Sequence, residues 1–196
     1  MMTKDQALAP LAACRTDEIV VTTMGMVRPW AAHSTNDLDF ASADSAMGHA
    51  ADLAIGLALA RPERKVICLN GDGSMLMTLG TLITAADNGA RNLVLFVIQN
   101  DSYEITGNQR VPGAGNVDFA AMARAAGFPR AHTFSDPAAY AEALPSILRE
   151  DGPVLVTLRV EPGRESPLGR EGKETAAYLR RSAPDEVRRF RSQFVR

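Results

Sequence analysis

From Glu18 onward, short runs of β-branched and aliphatic residues alternate with longer stretches rich in alanine and leucine. That rhythm is the one βαβ units of a parallel sheet produce. Runs at residues 19–23, 65–70, 93–99 and 154–160 predict strands. In the second and third, Val66-Ile67-Cys68-Leu69 and Leu93-Val94-Leu95-Phe96-Val97-Ile98 are apolar without alternation, the pattern of central strands covered on both faces. Residues 46–60 are small or apolar around a whole helical circumference and predict a buried helix, ended by Arg61-Pro62. Residues 74–88 predict another, with Leu76, Leu79, Ile83 and Ala86 on one face and a stop at Asn88-Gly89. A third is expected over 117–126, stopping at Gly127 after a long loop at 101–116. A fourth opens at Asp136-Pro137, with a break expected at Pro145. The expected fold is a single α/β domain, a doubly wound, mostly parallel sheet with helices on both faces.

Beyond Pro162 the pattern turns polar, with nine basic against five acidic residues. Ser182-Ala183-Pro184-Asp185 resembles a capping box, and Val187, Phe190 and Phe194 follow at helical spacing. The chain therefore divides into a domain at 1–163 and a polar extension at 164–196 carrying a docking helix, with an anion-binding tail as the other reading.

Composition narrows the function classes. With 46% hydrophobic and 22% charged residues in 196, the chain can bury a core and is neither disordered nor a disulfide-stapled miniprotein. Lysine and arginine number 21 against 23 aspartate and glutamate, so no basic field draws it to nucleic acid or anionic lipid. Cys14 and Cys68 stand far apart with no partner at metal-ligand spacing, which argues against zinc and iron–sulfur sites and for reduced thiols. Residues 1–6 lack a signal-peptide apolar run, and no stretch is apolar for long enough to span a membrane. A cytoplasmic protein without nucleic acid or membrane partners is the expectation.

The chemistry concentrates at Asn70-Gly71-Asp72-Gly73-Ser74, between a buried strand and a helix. At the carboxyl end of a parallel strand, helix N-terminal N–H groups face the ligand crevice and favour a phosphate. The glycines allow close backbone approach, and Asp72 offers a hard oxygen suited to magnesium. A dinucleotide fingerprint would need glycine where Leu76 stands, and no Gly-Lys-Ser/Thr of a nucleotide P-loop occurs. A tight turn with Asp72 merely capping the helix stays open at this point. The next strand ends at Gln99-Asn100-Asp101-Ser102-Tyr103, with Asn100 28 residues after Asp72. On adjoining strands, Asp72, Asn100 and the Ser102 carbonyl could converge on one magnesium ion.

Together, Gly71-Asp72-Gly73-Ser74 and Gln99-Asn100-Asp101-Ser102-Tyr103 resemble the diphosphate-binding signature of thiamine diphosphate enzymes. Gln99 departs from the family's first Asn, whereas Asn100 matches the second, which binds magnesium. Upstream, Ser45-Ala46-Met47-Gly48 resembles the segment whose large apolar side chain wedges beneath the bent cofactor. The resemblance implies the thiamine diphosphate-binding fold, with Gly71, Asp72, Gly73, Ser74, Asn100, Ser102 and Tyr103 around the diphosphate and Mg2+. It also implies Met47 as the wedge, with the Ser45 carbonyl and Met47 amide on the aminopyrimidine.

The resemblance accounts for one of the two domains such an enzyme requires. It thereby implies a companion α-type chain supplying the pyrimidine-binding domain and its activating glutamate, in an α2β2 or larger assembly. Tyr103-Glu104-Ile105-Thr106-Gly107-Asn108-Gln109 is similar to sulfopyruvate decarboxylase β chains and the C-terminal half of phosphonopyruvate decarboxylases. That implies decarboxylation of a small 2-oxo acid bearing a second anionic group. Arg110, and by similar argument Arg28 and His33 on another strand-end loop, are candidate cations for that group, although a solvated arginine is an equally good reading of Arg110. Glu104 and Thr106 are candidate proton-transfer groups, and His49, one turn into the Met47 helix, could face the cofactor or be a core histidine. Competing functions are an acetolactate synthase-like carboligase and a non-catalytic binding or regulatory subunit. A 2-oxo acid:ferredoxin oxidoreductase chain is disfavoured by the two distant cysteines, and a flavodoxin-like domain with a chance motif is the remaining alternative.

Overall fold

The computed structural model of the chain describes residues 1–41, 47–165 and 177–194. Its strands are β1 (Ile19–Thr22), β2 (Asp39–Ala41), β3 (Val66–Gly71), β4 (Leu93–Gln99), β5 (Ser102–Tyr103), β6 (Gln109–Arg110), β7 (Arg130–Phe134) and β8 (Val154–Arg159). Its helices are α1 (Lys4–Cys14), α2 (Met24–Ala31), α3 (Ala50–Ala60), α4 (Asp72–Met77), α5 (Gly80–Asp87), α6 (Phe119–Ala126), α7 (Pro137–Ile147) and α8 (Ala183–Ser192). Six strands form one sheet in the order β2-β1-β3-β4-β8-β7, and β5 and β6 form a separate two-stranded hairpin. Every neighbouring pair in the six-stranded sheet is parallel.

The unbroken apolar runs of β3 and β4 explain the layering. Val66, Cys68, Leu93, Leu95 and Val97 face one core with α3, α5 and α6. Ile67, Leu69, Val94, Phe96 and Ile98 face a second with α1, α2 and α7. Period-2 alternation thus feeds both cores from one strand, so both sides of the strand are apolar.

Three expectations are corrected. The predicted buried helix is apolar all round in sequence, yet α3 buries only one face: Ala50, Ala51, Ala54, Ile55 and Ala58 are covered, whereas Leu53 and Leu59 are 37% and 48% exposed. The helix predicted at 74–88 is two helices, because the Thr78 hydroxyl turns back to donate to the Gly48 carbonyl (2.5 Å) and the chain re-enters helix at Gly80. The break rotates the frame, so Thr81, Leu82 and Ala85 are buried and Ile83 points outward, 63% exposed. At Pro145 α7 does not break. The proline lies in its last turn, where loss of one N–H is offset by burial of Tyr140, Leu144 and Ile147.

The N-terminal segment has more structure than its polarity suggests. Met2 is fully buried and bridges to Val160, exchanging backbone hydrogen bonds with Arg159 and Glu161. Thr3 then caps α1: its hydroxyl accepts from the Gln6 N–H (3.1 Å), and the Gln6 carboxamide accepts from the Thr3 N–H (2.9 Å). This pins Lys4 to the carboxyl edge of the sheet. At the other end, Ser182 caps α8 by accepting from the Asp185 N–H (3.3 Å). Phe190 of α8 packs on Phe40 at 4.8 Å between ring centroids, and Arg189 donates to the Asp37 carbonyl (2.7 Å). Val187 is half exposed and stands apart from that stripe. Residues 166–176 and 195–196 of the expected polar extension lie outside the described residues. No helix among the described residues is long and apolar enough to cross a membrane.

Candidate functional site

Strand order reverses at β1, whose neighbours are β2 on one side and β3 on the other. In open α/β sheets a crevice forms at the carboxyl ends of the strands at such a switch point. A pocket lies there, lined by Thr23 and Met26 after β1, Gly71 to Ser74 at the end of β3, Asn100 and Ser102 to Thr106 after β4, and by Met47 and Lys4. The parallel register pairs Gly71 with Ile98, so the motifs that follow β3 and β4 emerge side by side.

Asp72 is the first residue of α4 and is only 2% exposed. Its carboxylate accepts two backbone N–H groups, from Gly73 (2.8 Å) and Asp101 (2.7 Å). Burial pushes its pKa up to about 6, the two amide donors pulling the other way. Among the described residues no cation pairs with it. A buried carboxylate without a countercharge among the described residues, with the Asn100 carboxamide lining the same pocket, is a donor set that suits a hard divalent cation.

Asn100, directly after β4, is held at both ends. Its Oδ1 accepts the Ser102 N–H (3.0 Å), and its Nδ2 donates to Glu104 Oε1 (2.6 Å). Asp101 between them has φ +59°, a left-handed conformation, and its N–H donates to Asp72. The long expected loop is therefore ordered. β5 and β6 pair Ser102 with Arg110 and Tyr103 with Gln109 around a 3₁₀ turn over Glu104–Thr106. The reversal passes through left-handed Gly107 and Asn108, at φ +116° and +62°.

Ser74 connects three segments, its hydroxyl accepting the Gly48 N–H (2.9 Å) and lying 3.3 Å from the Thr23 hydroxyl. Met47 faces the same pocket, whereas Ser45 lies outside the described residues. Thr106 lines the pocket, with its hydroxyl on Gln109 Oε1 (3.0 Å).

Other sequence candidates are placed away from the pocket lining. His49 precedes α3 with its ring 64% exposed and bonded to Asp52 (2.7 Å). Arg110 is exposed and donates to the Ala114 carbonyl (2.7 Å). His33 lies 3.1 Å from Asp5, and Arg28 sits on α2. Sequence reasoning missed Lys4, whose ammonium pairs with Glu104 in the pocket wall across 100 residues of chain. The Thr3–Gln6 capping pattern was the one local signal that could have placed a helix beside it.

Comparison with known proteins identifies the family. Residues 22–158 match the thiamine pyrophosphate enzyme, C-terminal TPP binding domain. Phosphonopyruvate decarboxylase of Streptomyces viridochromogenes is 40% identical over 136 residues, which cover 69% of this chain and 34% of that protein. The chain thus spans about a third of that relative's length. Sulfopyruvate decarboxylase subunit beta of Methanothermobacter thermautotrophicus is 34% identical over 164 residues, covering 83% of this chain and 84% of that one. The solved structure of a thiamine diphosphate-dependent 4-hydroxybenzoylformate decarboxylase from Rhodococcus jostii RHA1 shares the fold, with a TM-score of 0.70 at 23% identity over 83% of this chain and 33% of that one. The chain belongs to the family of thiamine pyrophosphate enzymes, as their C-terminal cofactor-binding domain.

Proposed function

We propose that this chain is the diphosphate-binding, β-type subunit of a thiamine diphosphate-dependent decarboxylase that acts with a companion chain on a 3-substituted, anionic pyruvate. The observation that carries the reading is the buried carboxylate of Asp72, which pairs with no basic side chain among the described residues and lines the switch-point crevice with Asn100. Asp72, the Asn100 carboxamide and the Ser102 carbonyl would hold Mg2+, and the backbone at Gly71, Gly73 and Ser74 would receive the diphosphate. Met47 would support the cofactor's bend, with Ser45 and the Met47 amide on its aminopyrimidine, and Tyr103 would close the diphosphate loop. When bound, thiamine diphosphate supplies the electron sink for loss of carbon dioxide. This chain's own part is to bind, orient and exclude water, with Thr106 at the pocket wall as the candidate proton-transfer group once its hydroxyl leaves Gln109.

The substrate class is supported by two relatives named for phosphonopyruvate and sulfopyruvate, both 2-oxo acids with a second anion. The companion chain is supported by the relative named a beta subunit. Calorimetric titration of thiamine diphosphate with Mg2+ into the chain, alone and mixed with a short chain carrying a pyrimidine-binding domain, tests the reading. Binding that is lost in Asp72→Ala with the fold retained is expected. Phosphonopyruvate or sulfopyruvate should then release carbon dioxide and an aldehyde, whereas a ligated product would identify a carboligase. No binding in either arm overturns the cofactor assignment.

A further inference from the structure

Glu104 stands out in the pocket wall as a carboxylate that is 6% exposed yet engaged on every side. Oε1 accepts from Asn100 Nδ2 (2.6 Å) and from the Gly163 N–H (2.6 Å), and Oε2 pairs with the Lys4 ammonium. The Lys4 side chain is itself 12% exposed and also reaches Glu165 at 3.5 Å. Three remote pieces of chain, the first turn of α1, the loop after β4 and the segment after β8, meet on this one carboxylate. With most of its acceptor positions taken and its side chain buried, this carboxylate is better suited to holding its neighbours in place than to moving a proton.

We infer that Glu104 is a positioning residue that fixes the orientation and donor strength of the Asn100 carboxamide toward a divalent cation, with Lys4 as its countercharge. The inference rests on the proposed role of Asn100 as a metal ligand. A carboxamide has an oxygen end and a nitrogen end of nearly equal size, and only its hydrogen-bond partners decide which faces the metal. A carboxylate can only accept, so Glu104 requires Nδ2 on its side and presents Oδ1 to the other. Turning the amide over would place Oδ1 against a carboxylate oxygen and Nδ2 against the Ser102 N–H, two repulsive contacts in place of two bonds.

A charged acceptor behind the amide also draws electron density toward Oδ1, as carboxylates do behind histidine metal ligands. Placing that charge in the wall is costly unless it is paired, and Lys4 supplies the pairing. The Gly163 backbone closes the arrangement: a Cβ there would stand 3.3 Å from Oε1, so the chain already lies close against the carboxylate.

The test is Mn2+ affinity in the presence of thiamine diphosphate, read by electron paramagnetic resonance of free and bound metal. The full chain is used, alone or with its companion, whichever form binds. Glu104→Gln keeps size and one acceptor but loses the charge, and Lys4→Met loses the countercharge. Each is expected to weaken Mn2+ binding by about 10- to 100-fold, the range for losing the outer partner of a metal ligand. Lys4→Arg is expected to recover most of the affinity. The bound Mn2+ spectrum should change its zero-field splitting in Glu104→Gln, a signature that a role confined to folding would not move. The double variant Lys4→Met/Glu104→Gln removes the buried charges together, so it should retain the fold while still binding Mn2+ weakly. Wild-type binding with equal affinity and an equal spectrum in Glu104→Gln overturns the inference alone. Absence of Mn2+ binding in wild type overturns the cofactor reading and this inference with it.

Discussion

The Tyr103 ring rests so close to Gly73 that a Cβ at Gly73 would stand 2.3 Å from the ring's Cε1 and 2.7 Å from its Cδ1. The first glycine of the motif is different, for a Cβ at Gly71 would meet nothing nearer than Thr23 Cγ2 at 4.0 Å. Gly73→Ala is therefore expected to displace the ring or the loop, at about 1–3 kcal/mol, the usual range for forcing extra volume into a packed site. Gly71→Ala should lie well below that. Chemical denaturation of the two variants compares them, and Gly73→Ala/Tyr103→Ser should recover much of the loss. Equal costs for the two glycines would mean that the ring yields freely.

The raised pKa of Asp72 makes a prediction about pH. With the folded value pushed up to about 6 from 3.8 by burial, the folded chain holds this proton more tightly than the unfolded one. The contribution is stabilising below pH 3.8 and is lost as pH rises through about 6. Metal-free protein should thus lose about 2–3 kcal/mol of stability across that window, since each tenfold difference in proton affinity between the folded and unfolded chain is worth roughly 1.4 kcal/mol. The decline should be missing in Asp72→Ala, and Mn2+ with thiamine diphosphate should reverse it above pH 6, since a bound cation favours the ionised form. Thermal denaturation from pH 4 to 7 with and without metal is the measurement.

The motif loops were legible in the sequence because their signals are local. Gly71 to Ser74 and Asn100 to Tyr103 each follow an unbroken apolar run, and the strand order then brings them together. What was illegible is set by distant contacts. The break between α4 and α5 depends on the Thr78 hydroxyl reaching Gly48, 30 residues back. The continuity of α7 through Pro145 depends on packing against strands that pattern alone does not position. Lys4 sits in a segment of weak amphipathic pattern, and its place in the site follows from Met2 pairing with Val160. Glu104 was visible as a carboxylate in the right loop, but its partners Lys4 and Gly163 are 100 and 59 residues away.

The two thiols should differ sharply in reactivity. Cys68 is fully buried on β3, and burial with the charge of Asp52 pushes its thiol well above the ordinary range. Cys14, at the end of α1, is half-buried. A disulfide-exchange reagent should modify Cys14 in the native protein and reach Cys68 only on unfolding, read by mass spectrometry of the labelled peptides. Native labelling of Cys68 would mean that the central strands open readily.

Arg15 and Asp39 form an ion pair whose side chains are 4% and 1% exposed, joining the end of α1 to β2. Asp39 also accepts from the Ser34 hydroxyl (2.6 Å) and the Asn36 N–H (3.1 Å), and the Arg15 guanidinium lies 5.8 Å from the Trp30 ring centroid. Two charges withdrawn from water this far are sustained by each other and by those hydrogen bonds, so removing one leaves the other buried and unpaired. Asp39→Ala is expected to cost about 3–5 kcal/mol, the range for breaking a buried pair from one side. The double variant Arg15→Met/Asp39→Leu removes both charges while keeping apolar volume, and should cost clearly less than Asp39→Ala alone. Urea denaturation of the three proteins gives the comparison. A double variant as unstable as the single one would show that the pair contributes through its hydrogen bonds to β2 and the preceding turn, and not through mutual neutralisation of charge.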